Sequence, residues 1–423
     1  MRTVILPISA VLAASLIWGS IVFMALDQGW LKSAIAPQGE TQDFIAAARE
    51  IAEERNGGNT TFVMIEGGRK AGGFDLSKGE PVNDKSVFQV ASISKWLTAW
   101  GVMNLADDGL IDLDAPVSDY ISRWSIPESE FDPSGVTVRR LLSHTSGLAD
   151  GLGYDGFSSP DERQTIEASL TQASDASSGK DGKTALGAQP GSGWKYSGGG
   201  YTLLQLMIEE VSGEPFPDYM QDRVFGPLGM TRTTFDHGRA IKLGLAQNFA
   251  EDGSVEDFRW YTSLAAASLF TTSGDLAKFI AAQTPAASNA VLSEQAMALM
   301  RAPQAREMGA DFWGVGVMLY APNNAGDFII GHDGQNEPAI NAAARLDPET
   351  GDGIVILSTG TPSLATDLAG EWVFWKTGNV DSLTFLSNFS SALIIFGIGL
   401  LAIILCGAFW AVKRRNSLRR AQA

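Results

Sequence analysis

Two uncharged apolar runs, one near each end, constrain this chain more than any other feature. Val4 to Leu26 and Ala392 to Val412 contain no charged residue, and each has about the length needed to cross a hydrocarbon core. Lys413, Arg414, Arg415, Arg419 and Arg420 follow the second run, while Arg2 precedes the first and Asp27 follows it. Basic flanks stay on the cytoplasmic side. Two spans require both termini on one side, and the charges place each end inside independently. Everything from about Asp27 to Asn388 is then expected to face outward. A cleaved signal peptide is the alternative for the first run. Its apolar length exceeds the usual signal core of about 7–15 residues, and the nearby Ala34-Ile35-Ala36 is followed by Pro37, which disfavours cleavage. The expected organisation is an anchor or signal segment over 1–27, an outer domain over 38–381, a second span over 390–412 and a basic cytoplasmic tail over 413–423.

Composition removes several classes of function. Cys406 is the only cysteine, so neither a disulfide framework nor a thiolate metal cluster is available. The histidines are His144, His237 and His332, and no zinc, phosphate-loop or G-x-S-x-G motif occurs. Setting aside the six positive charges of Arg2 and the tail turns the net −17 into −23 for the outer part. Such a surface repels nucleic acid and anionic lipid.

Phe88 to Leu97 reads as an apolar run entering a helix, with Ser92 and Lys95 three apart on one face of its first turn. A serine hydroxyl needs a base to become a nucleophile at neutral pH. A helix start adds N–H groups and a positive dipole end for developing negative charge. A second S-x-x-K, Ser177 to Lys180, lies in a Ser/Gly/Asp-rich stretch and reads as chance.

The rest of the outer segment reads as strands at both ends with helices between. Gln42 to Arg55 is helical, Thr61 to Ile65 is a strand, and Gly67-Gly68 turns it into a partner ending near Phe74. A helix follows Ser92 to Leu105, and Val136 to Leu142 is a second helix entry. Residues 151–193 read as a covering loop with one short helix, and Tyr201 to Val211 as a helix. Leu264 to Ala281 contains another, capped by Ser273 with Asp275 in its first turn. Phe328 to His332, Ala339 to Leu346 and Gly353 to Ser358 are strands. The expected fold is α+β, one antiparallel sheet built from both ends with a helical subdomain beside it.

Two further segments carry candidate groups. Pro190 to Tyr201 is a glycine-rich bend in which Tyr196 is either a core tyrosine or a phenol near the serine. Gly331 to Gln335 ends a strand, which is either a plain junction or an edge offering an N–H to an oxyanion. His144, in the Leu141 to Leu148 stretch, reads as structural, and His237 receives no role.

Together these segments resemble the serine β-lactamase and penicillin-binding-protein superfamily, in particular its class C-like branch, over roughly residues 42–360. Val90 to Lys95 resembles the nucleophile motif, and Val136 to Leu148 its most recognisable stretch. Tyr196-Ser197-Gly198 stands where the family has Y-x-N or Y-S-x. Pro227-Leu228-Gly229-Met230 is shared, and His332-Asp333-Gly334 stands where the family has K-T-G or H-x-G. The resemblance implies a β-lactamase/transpeptidase-like fold and an acyl-enzyme mechanism without metal or cofactor. It implies Ser92 as nucleophile, Lys95 as its proton acceptor and Tyr196 as proton relay. It places the oxyanion between the backbone N–H groups of Ser92 and Gln335, with Gly198, His332, Asp333 and Gly334 lining the substrate.

Two departures bear on the substrate. Gly198 removes a side-chain amide, and Asp333 replaces a hydroxyl with a carboxylate, which would repel a substrate carboxylate. The expectation is therefore a membrane-anchored bacterial serine hydrolase, outside the cytoplasmic membrane. It would act on esters or on D-amino-acid peptides and amides, including peptidoglycan-derived ones, rather than as an efficient β-lactamase. The alternatives are a catalytically silent binding module and a penicillin-binding sensor that acylates without turnover.

Overall fold

The computed structural model describes the chain apart from residues 1, 31, 151, 152, 285, 286, 288, 308, 422 and 423. The first two positions of the expected covering loop, the first of the N-terminal segment and the last two of the basic tail thus lie outside the described residues. The chain divides into two units, residues 35–377 and the paired terminal segments 1–34 and 378–423.

In the larger unit the strands are β1 (Thr60–Glu66), β2 (Arg69–Leu76), β3 (Phe88–Gln89), β4 (Asn248–Phe249), β5 (Val255–Glu256) and β6 (Phe270–Thr271). They continue with β7 (Ala305–Glu307), β8 (Ala310–Trp313), β9 (Met318–Pro322), β10 (Phe328–Asn336), β11 (Ile340–Asp347) and β12 (Asp352–Thr359). Eight form one antiparallel sheet in the order β2-β1-β12-β11-β10-β9-β8-β7. The two ends of the unit meet where β1 pairs with β12, from Thr60 opposite Ser358 to Ile65 opposite Gly353. This is the expected sheet. Every residue of β11 is buried, as suits a central strand covered on both faces.

Alternation divides the two faces. On one, Ile45 of the helix Thr41–Arg55 packs beside Gly72, and Asn341 accepts hydrogen bonds from the N–H groups of Ala365 and Thr366 at the start of the helix Leu364–Thr377. On the other, Ile280 of the helix Ser273–Ala281 packs beside Gly353. Phe279 of that helix meets Trp96 and Trp100 of the helix Ile93–Asp107 edge-on.

Several boundaries differ from expectation. Thr272, not Ser273, caps the helix Ser273–Ala281 by accepting from the N–H of Asp275. Besides this expected helix, the 264–281 stretch holds a short one, Leu264–Ala267, separated from it by β6. The helix expected from Tyr201 begins at Gly198, capped by Ser197. The covering loop holds one short α-helix, Ile166–Thr171, and a 3-10 turn at Pro160–Glu162.

The smaller unit is a pair of helices, Arg2–Asp27 and Ser382–Ala421. Both are long and apolar enough to cross a membrane. Where they touch, Gly399 lies against Trp18 and Gly407 against Val11. Small residues let apolar helices approach closely in this way.

Candidate active site

The site starts from a strained turn. Ala91 adopts φ +46, a left-handed conformation that costs a non-glycine residue about 1–2 kcal/mol. That turn swings β3 into the helix Ile93–Asp107 and sets Ser92 at its head. From Val87 to Met103 every residue is buried except Ser92. The chain thus exposes one hydroxyl from an otherwise closed core.

Ser92 Oγ lies 3.3 Å from Lys95 Nζ and 3.0 Å from Tyr196 Oη. Lys95 is 2% exposed, and its Nζ also donates to the Ala266 carbonyl at 2.7 Å. Burial pulls its amine down to about 7, against a smaller opposing pull from Asp150. Burial pushes the Tyr196 phenol above its ordinary range, opposed by its hydrogen bond to Ser92. At neutral pH the serine therefore sits between an amine that can be free and a phenol that keeps its proton.

Tyr196 is held by residues distant in sequence. Its neighbour Ser197 donates from its N–H to His144 Nδ1 at 3.1 Å and from its hydroxyl to Asp150 at 2.6 Å. The second Asp150 oxygen accepts from Gly199 N–H at 3.0 Å. The Lys195 N–H donates to the His144 carbonyl, and the His144 ring packs on that of Tyr196 with centroids 4.4 Å apart. His144 itself has φ +58. It is the structural histidine expected from sequence, and Asp150 is a support that sequence reasoning missed.

The opposite wall is β10, which continues to Asn336 rather than ending at His332. A Cβ on Gly334 would lie 2.0 Å from the Val90 carbonyl oxygen and 3.2 Å from the Ser92 nitrogen. Only glycine lets the strand run this close to the nucleophile turn. Gln335 is the next residue, with an exposed side chain. His332 is buried on the same face as Gly334, and burial lowers its imidazole to about 4, helped by the nearby Lys95. Gly198 is buried at the start of its helix and brings no side chain to the serine.

Asp333 is a correction. The longer strand puts its side chain on the face opposite Gly334, where it pairs with the guanidinium of fully buried Arg345 and accepts from the Tyr320 hydroxyl at 3.1 Å. Arg345 also stacks on the Tyr320 ring, 3.4 Å from its centroid. The carboxylate is internally neutralised and does not face Ser92, so it is not a source of repulsion for a substrate anion.

The second S-x-x-K forms a turn in which Lys180 N–H donates to the Ser177 carbonyl, on an exposed stretch.

The Beta-lactamase family model matches residues 44–373. Among curated proteins, the chain is 28% identical over 311 residues to penicillin-binding protein 4 of Amycolatopsis lactamdurans, covering 69% of this chain and 78% of that one. It is 31% identical over 189 residues to a penicillin-binding protein of Bacillus subtilis, covering 44% and 39%. It is 31% identical over 198 residues to esterase EstB of Burkholderia gladioli, covering 45% and 48%. The chain thus spans less than half the length of the last two. Among solved structures, the octameric penicillin-binding protein homologue from Pyrococcus abyssi superposes with a TM-score of 0.67 at 24% identity, covering 81% and 78%. The D-amino acid amidase of Ochrobactrum anthropi gives 0.58 at 22%, covering 80% and 96%. At such identities the structural likeness speaks for the fold alone.

Proposed function

The chain belongs to the beta-lactamase family of serine hydrolases, and from that premise we propose that it hydrolyses esters, or amides and peptides of D-amino acids, through an acyl-enzyme on Ser92, anchored in a membrane by its two terminal helices. The observation that carries this reading is the position of Ser92 Oγ, 3.3 Å from a buried amine and 3.0 Å from a buried phenol. Ser92 Oγ attacks the acyl carbonyl carbon while its proton passes to Lys95 Nζ. The oxyanion lies between the backbone N–H groups of Ser92 and Gln335. As the intermediate collapses, the bond to the leaving group breaks and Tyr196 supplies the leaving group's proton. Water then attacks the ester carbon and gives its proton to the Tyr196 oxygen; the bond from that carbon to Oγ breaks, the acid leaves, and Oγ takes back its proton from Lys95. The name of one sequence relative, an esterase, favours the ester class. Within these classes Gly198 favours esters, because it offers no side-chain amide to hold a substrate amide. Peptidoglycan-derived peptides fit an outward-facing domain.

The test is a chromogenic acyl ester mixed with the full chain in detergent. A burst of about one equivalent should precede steady turnover, and mass spectrometry should find one acyl group on the peptide carrying Ser92. An acyl group on any other residue, or no adduct with any ester or D-amide tried, would sink the reading.

A pH dependence follows from Lys95. Its amine must be unprotonated to accept the serine proton, and its folded value is lowered to about 7. The quantity kcat/KM is therefore expected to rise with pH through about 7 and level above it, about tenfold per unit on the acid limb. A profile that stays flat from about pH 5.5 to 8.5, with chemistry rate-limiting, would remove Lys95 as the base.

A further inference from the structure

Two buried imidazoles lie beside the nucleophile, and their hydrogen bonds fix their protons differently. His144 Nδ1 accepts from the Ser197 N–H at 3.1 Å, so it carries a lone pair and the ring's proton sits on Nε2. His332 Nδ1 lies 2.6 Å from the Asp333 carbonyl oxygen. A carbonyl can only accept, so this Nδ1 carries the proton and Nε2 is the lone pair. One ring thus points a donor and the other an acceptor. Both Nε2 atoms are shielded from solvent, and neither has a hydrogen-bond partner among the described residues. An unpaired buried polar atom costs about 1–3 kcal/mol, a cost that an internal water removes by bonding to it.

The two rings share surroundings. Both pack against Trp313, with centroids 4.8 Å and 5.7 Å away. Both feel Lys95, and His144 also feels His332. Burial holds both neutral. They also belong to opposite walls. His144 is bonded to Ser197 beside Tyr196, and His332 is two residues before Gly334 on β10.

We propose that a single internal water joins the Nε2–H of His144 to the Nε2 of His332, and that this neutral link sets the separation between the Tyr196 wall and the β10 wall of the site. The water accepts from His144 and donates to His332, so both Nε2 atoms gain the partner they lack. His144 and His332 are positioning residues here. They act through Tyr196 and the β10 backbone without touching the reacting atoms.

The chain has three histidines, so selective nitrogen-15 labelling of the full chain in detergent micelles yields three imidazole spectra, each assigned by its loss in a single variant. Between about pH 6 and 8, His144 should be the Nε2–H tautomer and His332 the Nδ1–H tautomer, with the His144 Hε2 proton showing a cross-peak to a retained water. The same tautomer on both rings, an imidazolium on either at pH 7, or no such cross-peak would overturn the link. A kinetic cycle tests its purpose. His144→Phe and His332→Phe should each lower kcat about tenfold with little change in KM, and the double variant should be no slower than the worse single one. Losses that multiply would mean that the rings act separately. The kinetic arm rests on the hydrolase reading and the spectra do not. Failure of the tautomers therefore sinks the link, whereas absence of hydrolysis sinks only the function.

Discussion

Ser92→Ala is expected to lower ester turnover by about 10⁴-fold or more while the protein melts within about 2–4 °C of the parent. The activity half follows from the chemistry, because no neighbouring hydroxyl can replace an attacking oxygen held between base and acid. The stability half follows from how little Ser92 does for the fold. It begins the helix Ile93–Asp107 but makes no side-chain cap hydrogen bond to it. The polar groups it leaves behind are not stranded together either, since Lys95 Nζ keeps its hydrogen bond to the Ala266 carbonyl. Steady-state rates and a thermal melt on the same preparation check both halves. A variant that keeps more than about a tenth of the activity would remove Ser92 as nucleophile. A collapse in melting temperature would mean that the hydroxyl is structural.

How much of this site the sequence discloses depends on the range of the interaction. Ser92 and Lys95 were legible because helical geometry alone brings positions three apart onto one face. Tyr196 and β10 approach Ser92 through tertiary packing, and only the resemblance to a known family brought them there. Asp150 carried no readable signal. Its partners Ser197 and Gly199 are 47 and 49 residues away, and a lone aspartate before a Gly-rich loop looks like any turn residue.

The place of Asp333 follows from the length of its strand. Once β10 is continued to Asn336, a period of two puts His332 and Gly334 on one face and Asp333 on the other, beside Arg345. Arg345 itself follows the run Ala342-Ala343-Ala344 in a fully buried strand, and a buried guanidinium demands a carboxylate. The cap displaced from Ser273 to Thr272 has a plainer cause, since adjacent hydroxyl residues compete for one role and only the turn geometry decides. The strands β7 to β9 and the helix Leu364–Thr377 escaped for opposite reasons. The strands are short and interrupted, while the helix is buried on most of its circumference and shows no clean stripe.

Gly334→Ala is expected to lower kcat about 100-fold or more, and to destabilise the fold by about 1–3 kcal/mol. The cause is a single methyl group. At 2.0 Å from the Val90 carbonyl oxygen it cannot be accommodated by rotating a side chain, because both groups belong to the backbone. Either β10 or the turn through Ala91 must withdraw. The turn is already strained at Ala91, and its neighbours are packed. β10 is tied along its length to β11, from Ile330 opposite Leu346 to Asn336 opposite Ile340. Withdrawal by about an ångström would move the Gln335 N–H away from Ser92 and spoil the cradle proposed for the oxyanion, where misplacement on that scale costs about 100-fold. Gly193→Ala is the matched control. It lies in the loop before Tyr196, its added methyl would meet no heavy atom within 4 Å, and it should leave both rate and melting temperature unchanged. Equal behaviour of the two variants would mean that β10 does not form the wall opposite Tyr196. Loss of rate with Gly334→Ala alone, at a temperature where the variant remains folded, would place the oxyanion cradle on this strand.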